Sequence, residues 1–509
     1  MNATATRRFL FIRSLAYLSI CLCAKAGAEI QIHPSVSVRE TYSDNIRQNT
    51  QETAVLVSEI TPVVEIISDG ARSDFNLNYS MQNLNFAGDE SGGNTNHTLA
   101  AGTTNELIED WFYLDGETSF GQRVFGGGSE LGTDTLTLID NKSDVTTLRV
   151  APRIDHRFGR HNRVILGYEY GQVDYDNLVT SDSTSQRANF QWQGQSQAGL
   201  VNWLFSYEDL QLDRDFGSDS FSETAAVQSG MRVTSELQLV LRWGSSNADI
   251  PDAELSVDGD YYSGGLIYTP SRKLQLTLFG GENDAEAGIL FVPSQRSSFR
   301  VIFRDREVGL NPGESWFAAI SHRTRRVTFN LGYSEKVTTE QILQVEGVRY
   351  VVDVDPVTGL LTVDPLTGRP LPPRLVLDVG IADSEFLQKR GTFSIRYDNR
   401  RHSLTLSFFD EERVRPAVNR LDDLTGVQFG WSWQMNSRDK LNLSVSHEEN
   451  EFDVFATAFD RLFIPITFTR AINESMNFST GVSRLQQRAD SGVMDFDENR
   501  AFVAVVKHF

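Results

Sequence analysis

Cysteine is almost absent from this 509-residue chain, whose two cysteines are Cys21 and Cys23. Both fall inside a leader that is expected to be removed. The mature protein should therefore have no thiol for a disulfide, a thiolate metal site or a cysteine nucleophile. Long apolar runs are absent as well: no stretch of roughly 18 consecutive apolar residues follows the leader, so the sequence predicts no transmembrane helix.

Positive charge is in deficit. The chain has 47 Lys and Arg against 68 Asp and Glu, which gives a formal net charge of −21. A chain this acidic is repelled by phosphate backbones, so we expect no nucleic-acid partner.

Residues 1–28 have the three parts of a secretory signal peptide. Arg7, Arg8 and Arg13 supply the positive region, and an apolar stretch runs from 15 to 23. The small residues of 26–28 predict cleavage before Glu29. The protein is thus expected to be exported from a bacterial-type cytoplasm and to reside in the periplasm, the outer membrane or the medium.

After the leader, apolar residues alternate with polar ones at a period of two, which is typical of β-strands. In 237–243, for example, Leu237, Leu239, Leu241 and Trp243 alternate with Gln238, Val240 and Arg242. A soluble sandwich and a transmembrane barrel both produce such alternation. The barrel also has short turns at one end and longer loops at the other, and this chain shows that asymmetry.

The short connections include 270–273 and 437–440, and the long polar ones include 125–142, 284–313 and 338–389. Counting between them gives about 22 strands, with 18 or 20 as alternatives. We therefore predict an all-β protein: one antiparallel outer-membrane β-barrel of 18–22 strands over 29–509, with both ends of the mature chain in the periplasm.

The longest connection, 338–389, is predicted to be an extracellular insert. It repeats the turn sequence Asp-Pro-x-Thr-Gly, which favours a hairpin over a disordered tail. Strand alternation begins at Ile30, so we expect no N-terminal plug. That leaves 284–313 and 338–389 as candidates to close a wide lumen, and 338–389 either bends over the mouth or extends the wall outward.

Two sets of residues are functional candidates. Phe509 ends a strand whose apolar face carries Val503 and Val505, and a terminal Phe in that position is the sorting signal that the barrel assembly machinery reads. Arg149, Arg242 and Arg396 lie at the alternate positions of their strands whose side chains face the lumen, and they could line an anion-selective passage. The alternative is that carboxylates in the lumen neutralise them.

Catalytic chemistry is not indicated. The sequence contains no His-Glu-x-x-His, no Gly-x-Ser-x-Gly and no Walker loop, so we predict no catalytic residue, no cofactor and no metal. A hydrolase site in such a barrel would need a histidine near the extracellular rim. Of the eight histidines only His97 lies there in the predicted topology, and an interfacial polar residue is its simpler interpretation.

The N-terminal part of the mature chain resembles a known family. Val36–Ile46 contains a Thr-Tyr-x-Asp-Asn signature, and Asn105–Phe112 is similar to a turn of the same family. Both resemble outer-membrane barrel proteins associated with PEP-CTERM/exosortase exopolysaccharide gene clusters. The resemblance implies a polysaccharide-associated outer-membrane barrel and brings no catalytic residues.

The leading functional hypothesis is a pore or accessory component of exopolysaccharide export or assembly. Its expected partners are outer-membrane lipid and lipopolysaccharide, the barrel assembly machinery, polysaccharide and other export components. A non-transporting scaffold or adhesin is the alternative. A hydrolase or a soluble periplasmic β-protein is less favoured.

Overall fold

The computed structural model describes residues 29–88, 93–124, 131, 134–139, 142–176, 181–250, 255–339, 342, 385–415, 420–452, 457–490 and 495–509. The predicted signal peptide, 1–28, lies outside the described residues. So does most of the predicted insert 338–389, including both Asp-Pro-x-Thr-Gly turns.

The described residues form 26 strands. They are β1 (Glu29–Ser43), β2 (Val55–Asp69), β3 (Ser73–Ala87), β4 (Gly93–Ile108), β5 (Phe112–Val124), β6 (Lys142–Phe158), β7 (Asn162–Tyr175), β8 (Ser183–Gln195), β9 (Val201–Arg214), β10 (Ser220–Arg232), β11 (Leu237–Asp249), β12 (Ser256–Val257), β13 (Gly259–Ser271), β14 (Leu274–Glu282), β15 (Asp284–Ser294), β16 (Ser297–Arg306), β17 (Gly309–Leu310), β18 (Gly313–Arg323), β19 (Val327–Thr338), β20 (Phe386–Asp398), β21 (His402–Arg415), β22 (Arg420–Gln434), β23 (Asp439–Phe452), β24 (Thr457–Asn473), β25 (Met476–Ala489) and β26 (Phe496–His508).

Twenty-four of these strands form one closed antiparallel sheet. Each pairs with the wall strands before and after it, so that β11 pairs with β13 and β16 with β18. β1 pairs with β26 from Ser35↔His508 to Ser43↔Arg500. The two-residue strands β12 and β17 pair only with each other. Closure gives every strand of the wall two neighbours, so no edge of hydrogen-bonding groups is left in lipid. The prediction of an all-β antiparallel barrel is confirmed.

The predicted number of strands, 18–22, is wrong, because the wall has 24. The segment 284–313 was predicted to be a long polar loop, yet it contains β15 and β16. Only Asn283 separates β14 from β15, and Asp284 pairs with Arg306 across the β15–β16 hairpin. In sequence, a strand whose charged residues face the lumen has the same composition as a solvated loop. The sequence therefore did not predict this hairpin.

The outer face of the wall is apolar and exposed. Leu239, Leu241 and Trp243 on β11 are 45%, 71% and 45% exposed. Exposed aromatic residues lie outward near both ends of the strands: Trp111, Phe158 and Trp192 near one end, and Tyr42, Tyr262 and Trp316 near the other. Two aromatic girdles flanking an apolar band are the surface that a lipid bilayer covers. The protein is a barrel of the bacterial outer membrane.

The two ends of the barrel differ. At the short-turn end, where β1 begins and β26 ends, the hairpins are closed by tight turns such as 109–111, in which Asp110 adopts a positive φ of 56°. At the long-loop end most connections are longer, for example 44–54, and the single residue between β14 and β15 is an exception. Since bacterial barrels keep their short turns in the periplasm, we assign the short-turn end to that side.

No helix of the described residues is long and apolar enough to cross a membrane.

Candidate functional site: the lumen

The inner face of the wall changes character from one end to the other. On β21, Phe409, Glu411 and Arg413 lie toward the long-loop end and are buried, with Arg413 at 0% exposure. Ser403 and Thr405 share that face toward the short-turn end and are only half-buried. On β21 the inward side chains are therefore packed toward the long-loop end and more accessible toward the short-turn end. Beside β25 and β26, Ser479, Ala504 and Val506 are buried in the short-turn half as well.

A network of ion pairs fills the long-loop half beside β20, β21 and β22. Glu411 accepts a hydrogen bond from Arg413 Nε at 2.7 Å and is also bound by Arg390. Arg415 donates a hydrogen bond from Nη1 to Asp422 Oδ2. Buried guanidinium and carboxylate groups are costly unless paired, so these contacts stabilise one arrangement of the wall.

Aromatic rings cover the cations of this network. The Phe386 ring centroid lies 5.3 Å from the Arg413 guanidinium and 4.9 Å from that of Arg415, within the range of a cation–π contact. The Phe409 ring lies against Gly426, where an added Cβ would collide with it. The glycine thus lets a large ring lie flat along the inner wall.

One ion pair joins two parts of the wall that are not neighbours. Arg214 at the end of β9 donates from Nη2 to Glu385 Oε1 at 2.8 Å, and both side chains are buried. Glu385 immediately precedes β20, whereas β9 pairs with β8 and β10. The contact therefore reaches across the lumen at the long-loop end and narrows it.

A second charged network lies on β11, β15 and β16. Arg242 Nη1 is 3.0 Å from Glu286 and 3.4 Å from Asp284. Arg306 pairs with Asp284 at 2.8 Å, and Arg304 with Glu286 at 3.2 Å. Each carboxylate is thereby shared between two guanidinium groups.

Part of the predicted loop 125–142 folds inward. In this inner segment, 134–139, Leu136 is 1% exposed and packs with Ile46, Val57 and Phe86. The backbone N–H of Leu138 donates to the Ile46 carbonyl at 3.0 Å. A segment that sequence places in solvent is therefore part of the lumenal packing.

Charged residues fix the inner segment to the wall. Arg500 of β26 donates from Nη1 to Asp134 and from Nη2 to Thr137 Oγ1, both at 2.8 Å. Lys142 Nζ donates to the backbone carbonyls of Asp134 and Thr137 at 2.5 and 2.6 Å. Burial alone would raise the pKa of Asp134, but Arg500 and Lys142 outweigh it and hold that pKa below its usual value.

The three arginines predicted from sequence lie on β6, β11 and β20 and are not brought together. Arg149 is buried, with its Nε 2.8 Å from Glu169 and its Nη1 3.5 Å from Glu117. Arg396 lies toward the short-turn end with its Nε 2.7 Å from Asp398. Like Arg242, both have a carboxylate partner, so the three do not form a row of unpaired cations.

The residues that sequence reasoning missed are the buried pairs Glu411–Arg413 and Arg214–Glu385 and the anchor Asp134–Arg500. Glu411, Arg413 and Arg415 recur at every second position of one strand, and that spacing was the available signal. No comparable signal marked Asp134, whose partner is 366 residues away.

The terminal residue, Phe509, lies outside the lumen. Its side chain is 74% exposed, and its backbone N–H donates to the Pro34 carbonyl at 3.0 Å. The Lys507 amino group lies 5.9 Å from its ring centroid. Phe509 is therefore held at the seam between β1 and β26 mainly through its backbone.

No group of three or more His, Cys, Asp or Glu side chains that could hold a metal ion occurs in the described part of the chain. His97 is engaged elsewhere, with its Nδ1 2.8 Å from the Tyr79 hydroxyl.

The sequence matches no protein-family model and no curated protein. Among solved structures it is similar to the siderophore receptor PirA of Acinetobacter baumannii, at 12% identity and a TM-score of 0.46, over 94% of this chain and 80% of that one. It is also similar to the ferric enterobactin receptor PfeA of Pseudomonas aeruginosa (8%, 0.45, 95% and 81%) and to the ferric-catecholate import receptor Fiu of E. coli K12 (8%, 0.47, 94% and 82%). Likeness at this level carries no argument about function.

Proposed function

We propose that the protein is an outer-membrane conduit or accessory component of exopolysaccharide export, with a lumen narrowed at its long-loop end. The observation that supports a conduit is the two-faced wall, with apolar side chains toward lipid and polar ones toward the lumen. The polysaccharide is proposed from the resemblance of Val36–Ile46 and Asn105–Phe112 to the exopolysaccharide-associated family.

The two halves of the lumen suit different steps of such a process. The accessible short-turn half can admit a hydrated chain from the periplasm. The packed long-loop half, with the cross-lumen pair Arg214–Glu385 and the inner segment 134–139, restricts leakage when no chain is present. Lipid and lipopolysaccharide surround the wall, the barrel assembly machinery inserts it, and other export components deliver the polysaccharide.

A non-transporting scaffold or adhesin is the second candidate. It is favoured by the burial of the inward side chains at the long-loop end. Packed side chains are sufficient to keep a lumen permanently closed.

Single-channel recording in a planar bilayer separates the two candidates. We expect a small conductance for the intact protein and a larger one when 134–139 is replaced by Gly and Ser or when 345–385 is deleted. A conduit also predicts that deleting the gene in the native bacterium leaves polysaccharide in the periplasm. The scaffold is the correct candidate if neither the intact protein nor either variant conducts, and if deleting the gene leaves surface polysaccharide unchanged.

A further inference from the structure

The short-turn half of the lumen contains a group of uncharged amides on three neighbouring strands. Gln193 and Gln195 lie on β8, Asn202 on β9 and Gln228 on β10. The register places them on one face, because Gln195 is paired with Asn202, and Leu204 with both Gln193 and Gln228. These four residues, the amide patch, line one cavity of about 410 Å³.

Three arginines line the same cavity from the β6–β7 hairpin: Arg157, Arg160 and Arg163. Arg163 is held by Asp155, with bonds of 2.7 and 2.5 Å to the two carboxylate oxygens. Arg157 and Arg160 are exposed and form no direct ion pair with any residue that the structure describes, although the charge of Arg157 interacts with Asp155 at longer range. This differs from Arg149, Arg242 and Arg413, each of which contacts a carboxylate.

The two groups have complementary chemistry. A guanidinium binds a carboxylate through two parallel hydrogen bonds, and an exposed guanidinium that is in no direct ion pair is available to do so. A side-chain amide offers two donors and an acceptor. In the amide patch, Gln195 Nε2 contacts His161 and Asn202 Oδ1 accepts from Gln238, and the remaining donors and acceptors suit the hydroxyl groups of a sugar. The cavity volume lies in the range of small-molecule sites.

We propose that this cavity binds an acidic sugar of a polysaccharide, a uronate, with Arg157 and Arg160 on the carboxylate and the amide patch on the hydroxyls. The site lies at the periplasmic mouth, where an export substrate enters, so the proposal rests on the proposed function. The two arginines also offset an electrostatic repulsion. A chain with a net charge of −21 repels a polyanion unless the mouth of the barrel carries local positive charge.

Binding is tested with the full-length protein in detergent micelles, using tri- to hexagalacturonate as the probe and tryptophan fluorescence as the readout. Neutral maltohexaose and inorganic phosphate are the comparison ligands. We expect the galacturonates to bind more tightly than either, with an affinity that falls as salt is added.

The decisive variant is the double substitution Arg157→Gln/Arg160→Gln, expected to weaken galacturonate binding by at least ~10-fold, since two charge-assisted contacts are lost. Its matched control is Arg400→Gln/Arg401→Gln, which removes the same charge from an exposed turn at the same end. The control should bind within about twofold of the unmodified protein. Equal losses in both variants would mean unspecific attraction and would overturn the site.

A second variant, Gln193→Leu/Gln195→Leu, tests sugar recognition. It should lose affinity for galacturonate while leaving that for phosphate unchanged. If phosphate binds as well as galacturonate and this variant binds both normally, the cavity is an anion site and the sugar assignment is wrong.

The binding assay needs no transport, so the two proposals fail separately. Specific galacturonate binding without conductance or an export defect would retain the site and refute the conduit. Conductance and an export defect without such binding would retain the conduit and refute the site.

Discussion

Arg413 and Arg157 both face the lumen, in opposite halves, and they differ in their burial and in their ion-pair partners. Arg413 is fully buried between Glu411 and the Phe386 ring, whereas Arg157 is exposed at the periplasmic mouth. The alternation that creates an inward face is the same in both halves. The alternation therefore predicts which side of the wall a residue occupies, but it does not predict whether the side chain is exposed to water.

The difference has an energetic consequence. A buried ion pair can stabilise only while it is complete, because loss of one partner leaves an uncompensated charge in a medium of low dielectric constant. Pairs in the short-turn half are solvated and contribute little. The long-loop half should therefore be rigid and intolerant of substitution, and the short-turn half tolerant.

The largest expected effect is on stability. Glu411→Ala leaves Arg413 and Arg390 without this carboxylate and should lower the free energy of unfolding by about 3–5 kcal/mol. The matched change in the other half, Asp398→Ala, removes a half-exposed partner of Arg396 and should cost less than about 1 kcal/mol. Urea unfolding in lipid vesicles measures both, and equal losses would show that the two halves do not differ.

The next effect is on conductance. Replacing 134–139 with Gly and Ser removes the lumenal packing of Leu136 and the anchor of Asp134, and should raise the single-channel conductance by about two- to fivefold. Replacing 196–200, a tight turn at the other end, should leave it unchanged. An unaltered conductance in both variants would mean that the inner segment does not narrow the path.

A third effect concerns assembly at the short-turn end. Deleting Phe509 should reduce the amount of protein in the outer membrane several-fold, because the assembly machinery loses its apolar terminal residue. The exposed side chain contributes little to the folded barrel, so the refolded variant should lose less than about 1 kcal/mol. Quantitative blotting of membranes provides the first measurement, with Phe509→Tyr as control. Normal levels of the deleted protein would show that the terminal Phe is not a signal.

The smallest effect is on pH dependence. Because the pKa of Asp134 is lowered on folding, its ion pair with Arg500 is fully present above the unfolded value of 3.8 and is lost as pH falls through the lower folded value. Conductance should therefore stay constant between pH 7 and 4.5, while Asp134→Asn should raise it at pH 7. A transition within that interval in the unmodified protein, absent from Asp134→Asn, would contradict the lowered pKa.

The fold class followed from sequence because alternation is a local property, which Leu239, Leu241 and Trp243 display without reference to any other strand. The strand number was missed because Asp284 and Arg306 look solvated until each is seen to neutralise the other. Partners of lumenal residues are non-local. Arg242 meets Asp284 only because β15 folds back beside β14, and Leu136 is buried only because Ile46 lies opposite it. Such contacts depend on closure of the whole wall, which no local pattern encodes.

The seam between β1 and β26 joins the first and last strands that the structure describes. Beyond the backbone ladder it carries a side-chain clasp, in which Asp44 accepts from Asn499 and Glu498 accepts from Ser43, across 455 residues of sequence. Each of β1 and β26 has only one other partner in the wall, so this ladder and its clasp are what close the sheet into a barrel. Until it forms, the protein presents two unpaired edges open to another chain, and the clasp brings that hazard to an end.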